Sequence, residues 1–70
     1  MNILDKIEVV CIRIEDLHEK LMIAHELCNE PGIDSELKLI RYLEVERLNN
    51  VIESLKELKN NLFIEAGLKP

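Results

Sequence analysis

The chain is predicted to be all-α: an antiparallel helix-turn-helix hairpin of two long helices, pairing with a second hairpin into a four-helix bundle. Three observations predict this. Ile3, Ile7, Val10, Ile14, Leu17, Leu21, Ala24 and Cys28 recur at alternating spacings of four and three without a miss. That 3.5-residue period sets all eight on one stripe of one helix, the pattern two packed helices need. The only helix breakers in the middle of the chain are the adjacent Pro31 and Gly32. Finally, 47% of the 70 residues are hydrophobic, Leu and Ile dominate, and Tyr42 and Phe63 are the only aromatics. An aliphatic core of this kind suits helix-on-helix packing, and so short a chain is only marginally stable alone.

The elements follow in order within a single domain, residues 1–70. Asn2 is a good N-cap and Asp5 places an acid in the first turn, so helix 1 is expected to run from about 3 to 28. Asp16 and Lys20 supply a favourable i,i+4 pair. A turn over 29–34 follows. Pro31 lacks an amide donor and pushes Glu30 out of the α region, Gly32 supplies backbone freedom, and Asp34 or Ser35 caps what comes next. So short a connection favours antiparallel neighbours. Helix 2 is expected over about 35–66, with Gly67 as its C′ residue and Pro70 preventing continuation.

The core is expected to contain Ile7, Val10, Ile14, Leu17, Leu21 and Ala24 from helix 1, and Leu48, Ile52, Leu55 and Leu62 from helix 2. The second helix reads clearly only in its later half, as Leu48, Val51, Leu55, Leu58 and Leu62, widened by Ile52. Earlier, Leu37, Leu39, Ile40, Tyr42, Leu43 and Val45 point to several sides, while Arg41 and Glu44 fall where the seam would continue backwards. A helix that is apolar on more than one side is usually covered on more than one side. Val9, Ile12, Met22 and Ile23 send the same signal from helix 1. Such residues imply association, with a second identical hairpin, with another protein, or with both.

Charge narrows the partner. Nine basic residues stand against fourteen acidic ones, a net charge of −5. DNA is not an expected partner, RNA is disfavoured and an anionic membrane surface is disfavoured, because no basic face is visible beyond Lys6, Arg13 and Lys20. No stretch approaches the ~20 apolar residues of a membrane span. The N-terminal residues carry Asp5, Lys6 and Glu8 and lack the long apolar run of a signal peptide, so a cytoplasmic location with reduced cysteines is expected. Cys11 and Cys28 lie 17 residues apart on one helix, roughly 25 Å, too far for a disulfide.

Little points to chemistry. Cys11, His18 and His25 are spaced by seven, with Cys28 nearby, and all four types bind zinc. Neighbours seven apart stand about 10.5 Å apart along the axis, whereas a zinc ligand sits ~2.0–2.3 Å from the metal. Only His25 with Cys28, or His25 with a residue of another chain, could share an ion; no cofactor or metal is expected. Ser35 reads as a turn or cap residue and Ser54 has no histidine near it in sequence. There is no Gly-rich phosphate loop and no aromatic stacking platform.

In outline, such a hairpin is similar to small type III secretion co-chaperones and to plasmid copy-control hairpins that dimerise and bind RNA. It is also similar to short sporulation-control phosphatases acting on response regulators. That last family carries Ser-Gln-Glu-Leu-Asp on its second helix. The nearest run here, Val45-Glu46-Arg47-Leu48-Asn49, keeps the leucine and lacks the serine and the final acidic residue. The expected function is a non-enzymatic protein–protein interaction module (regulator, adaptor or co-chaperone). Val9, Ile12, Ile23, Leu39, Tyr42 and Leu43 would bind the partner, with Tyr42 as the main anchor. The alternatives are a phosphatase-type regulator using Glu44, Glu46 or Asn49, and an RNA-binding dimer using Lys6, Arg13 and Lys20.

Overall fold

The computed structural model describes residues 2–68 and contains two helices, α1 (Ile3–Cys28) and α2 (Ser35–Glu65). Both start on the caps their sequences offer. The Asn2 side chain accepts from the Asp5 amide at 2.9 Å, and the Asp34 side chain accepts from the Leu37 amide at 2.8 Å. Each satisfies one of the amides that a first turn leaves without a helical partner. α2 ends as Gly67 predicts. With φ at +77°, Gly67 donates to Ile64 O, and the Leu68 amide reaches back to Phe63 O at 2.8 Å. That pair of bonds is the Schellman arrangement, which closes a helix on a left-handed residue.

Between the helices, Gly32 adopts φ +82° directly after Pro31. Pro followed by a positive-φ residue is the sequence a type II turn requires. The connection reverses the chain, and α1 and α2 pack side by side along their lengths in a rod of 50 × 19 × 14 Å. The longest dimension is close to that of the helices themselves, about 39 and 46 Å at 1.5 Å per residue.

The stripe of α1 becomes its packed face. Ile7, Ile14, Leu17 and Ala24 are buried, and Ile3, Val10, Leu21 and Cys28 are half-buried. On α2 the packed face is Arg41, Val45, Leu48, Ile52, Leu55, Lys59, Leu62 and Ala66, again at alternating spacings of four and three. Ile52 is buried as expected, and the differences from the sequence reading lie on either side of it. Val45 is buried while Glu44 is exposed, and half-buried Lys59 takes the seam place that Leu58 (44% exposed) was expected to hold. Leu48, Leu55 and Leu62 belong to both registers, so the period alone does not choose between them. Partner geometry chooses, and it selects Ile52 and Val45. Val51 still packs on the margin of the cluster formed by Leu17, Ala24, Val45, Leu48 and Ile52.

Arg41 explains why the seam loses its apolar pattern near the turn. Its side chain is 22% exposed, and Nη1 donates to Leu27 O at 2.6 Å and to Glu30 Oε2 at 2.8 Å. Leu27 O lies in the last turn of α1, where carbonyls lack helical donors. A guanidinium from α2 supplies one and ties the turn to both helices at once. What reads in sequence as an interruption is a tertiary helix cap. The surface pair Asp16–Lys20, by contrast, is not closed. Among the described residues the ion pairs are Arg41–Glu30, Arg47–Glu44 and the longer Lys56–Glu53 at 3.6 Å.

Candidate functional site

A side chain on the seam is covered by the other helix. One lying two positions further along is turned by about 200° and faces water. Adding two to the α1 seam generates Asp5, Val9, Ile12, Asp16, Glu19, Ile23 and Glu26. The outer face of α1 therefore carries three of the six expected partner residues at regular spacing. On α2, Leu39 and Leu43 lie two positions before and two after seam residue Arg41 and so on its outer face, with Tyr42 towards one flank.

All six expected residues, Val9, Ile12, Ile23, Leu39, Tyr42 and Leu43, are exposed by 51–58%. The hairpin does not gather them into one patch. The outer faces of two side-by-side helices point in opposite directions, so Val9, Ile12 and Ile23 lie on one narrow edge of the rod and Leu39 and Leu43 on the other. Near the turn, both edges of the rod carry exposed apolar residues. Met22 (65%) and Ile40 (62%) are the most exposed of them and extend the oily surface there. Neither stood among the expected binding residues, although Ile40 adjoins Leu39 and Met22 adjoins Ile23.

Further along α2 the outer face changes character. A shallow polar depression is lined by Asn50, Glu53, Ser54, Lys56, Glu57 and Asn60. Ser54 sits there among carboxylates and amides, with no histidine in the lining to take its proton. Of the residues considered for phosphatase chemistry, Glu44 is engaged by Arg47 through two contacts, Nε to Oε2 at 2.9 Å and Nη2 to Oε1 at 2.6 Å. Those hydrogen bonds, and then the charge, hold the Glu44 carboxyl below its ordinary value and push Arg47 up. A carboxylate so held is a poor proton carrier near neutrality. Glu46 and Asn49 are exposed and one turn apart.

Cys11 and Cys28 are free and half-buried, Cys28 on the seam and Cys11 beside it, and His18 and His25 are exposed. Among the described residues no group of three His, Cys, Asp or Glu side chains could hold a metal ion. Lys6, Arg13 and Lys20 are exposed at spacings of seven, and so line one edge of the outer face of α1. No described helix is long and apolar enough to cross a membrane. No protein-family model matches the chain, and no curated protein or solved structure is significantly similar to it.

Proposed function

We propose that this chain is a small non-enzymatic protein–protein interaction module, a regulator, adaptor or co-chaperone, that works through the apolar surface its two helices leave uncovered. We further propose that two hairpins pair into a four-helix bundle and that the protein acts in the cytoplasm. The observation that carries the proposal is the group of half-exposed side chains around the turn end: Ile23, Leu39, Tyr42 and Leu43, joined by Met22 and Ile40. Scattered exposed apolar residues need no explanation, but a group at one end of a rod does.

Area is consistent with association as well. The accessible surface is 5388 Å². A compact monomer of 8.2 kDa would expose about 4,500 Å². The difference, on the order of 850 Å², reflects the elongated shape of the rod, and pairing is one way to cover such surface. The two free cysteines suit a reducing compartment.

Molar mass by light scattering across a concentration series, on the native chain and on Tyr42→Ala, tests the proposal. The native chain should self-associate or form a defined complex with its partner. Tyr42→Ala should weaken that association by about 1 kcal/mol or more, because a rigid amphipathic ring is a typical anchor. Helicity should be unchanged, since Tyr42 makes no seam contact. A native chain that stays monomeric at high concentration and binds nothing would overturn the interaction role.

A further inference from the structure

We infer that the outer face of α1 is a docking stripe for one amphipathic helix of another protein, and that this helix carries basic residues at its middle. This rests on the interaction role proposed above and assigns it a partner chemistry. A bundle built on the hairpin's seam covers the flanks of α1 and leaves the face opposite the seam in water, so Val9, Ile12 and Ile23 need another occupant. They stand at coiled-coil spacing, with Asp16 and Glu19 occupying the places between Ile12 and Ile23. All five are exposed, and neither Asp16 nor Glu19 belongs to an ion pair among the described residues.

Those two acids decide between a second copy and a different chain. A second copy docked in parallel would set Asp16 against Asp16 and Glu19 against Glu19, like charges in the seam. Docked antiparallel, it would still bring the acidic middles together. The stripe is therefore built against itself, a device that selects partners by exclusion. A helix with Lys or Arg at the two central seam positions and aliphatic residues on either side satisfies both the apolar positions Val9, Ile12 and Ile23 and the acidic middle.

The test uses the full chain and two synthetic helical peptides of about 21 residues, three heptads with leucine at the seam. One has lysine at the two central seam positions and the other has glutamate. Binding is followed by fluorescence anisotropy. The lysine-centred peptide should bind and the glutamate-centred one should not. Ile12→Ser with Ile23→Ser, both on exposed positions, should weaken binding at least about tenfold. Asp16→Lys with Glu19→Lys should reverse the peptide preference. Glu46→Lys with Glu57→Lys makes the same change in net charge on α2 and should leave binding within about twofold, excluding a bulk charge effect. Circular dichroism confirms that each variant remains helical.

Equal binding of both peptides, or an unreversed preference in the Asp16/Glu19 variant, would overturn the inference. So would failure of the native chain to bind the lysine-centred peptide. If light scattering still shows association sensitive to Tyr42→Ala, the broader interaction role survives that failure. Loss of self-association in the Ile12/Ile23 variant would make a second copy the occupant, and would also overturn it.

Discussion

The two ends of the rod are built differently. At mid-rod, Leu17, Ala24, Val45, Leu48 and Ile52 form the core cluster, and near the turn Arg41 ties the last turn of α1 to the connection. Towards the open end, Ile7 is buried but lies outside that cluster, Lys59 occupies a seam position, and Leu62 and Phe63 are only half-buried. The turn end has the greasier outside, while α2 beyond Glu44 presents mostly acids and amides to water. Between Ala24 and Val45 no side chain is buried, so the exposed apolar residues near the turn sit on backbone held by the Arg41 tie and the Asp34 cap rather than by a closed core.

The largest effect that would test this contrast is a cavity in the seam. Ile52, at 2% exposure the most buried side chain, should lose about 3 kcal/mol on Ile52→Ala, comparable to the whole stability of so small a fold. Ile7→Ala should cost clearly less, because a helix end can fray locally rather than unfold globally. Urea titrations followed by circular dichroism would measure both, and equal losses would abolish the distinction between the middle of the rod and its open end. Next comes Arg41→Ala. It removes a half-buried donor to Leu27 O and the partner of Glu30, and should cost about 1–2 kcal/mol. Amide exchange should show the extra opening concentrated in residues 25–34.

Gly32→Ala should follow, at about 1 kcal/mol. A Cβ there meets nothing within 4 Å, so the cost arises only from holding an L residue at φ +82°. Gly67→Ala has the same strain and the same open space, yet lies at the open end, and should change the melting midpoint less. The smallest effect is the pH dependence of the Glu44–Arg47 pair. Arg47 holds the Glu44 carboxyl below its ordinary value, so the pair's stabilisation is complete above the unfolded carboxylate's range. It disappears as pH falls through the lowered folded value. Glu44→Gln should flatten that part of the stability profile slightly, and raised salt should flatten it too, since both groups are exposed.

How much of this is legible without coordinates depends on the residue. α1 is fully readable, because eight periodic apolar positions leave one possible packed face. The caps Asn2, Asp34 and Gly67 are readable because each acts on backbone within a few residues of itself. The first half of α2 is not. Arg41 serves a carbonyl fourteen positions earlier, and a periodicity cannot report a bond to another helix. Val45 is obscured because a register through 41, 44 and 48 is spaced as well as one through 41, 45 and 48, so spacing alone does not choose between Glu44 and Val45. The exposed residues Val9, Ile12 and Ile23 could be found from sequence, because they fall out of phase with a well-defined stripe. That Leu39 and Leu43 face away from them could not, since it follows from the side-by-side packing of the two helices.

The turn has a further consequence for how the molecule can be handled. Because the chain doubles back once, residues 2 and 68 finish side by side, with the Pro31-Gly32 corner roughly 40 Å away at 1.5 Å per helical residue. A bead, a dye or a fused domain attached at either extremity is held clear of that corner by the length of the hairpin. Immobilised through either extremity, the protein would present Tyr42 and its neighbours outward.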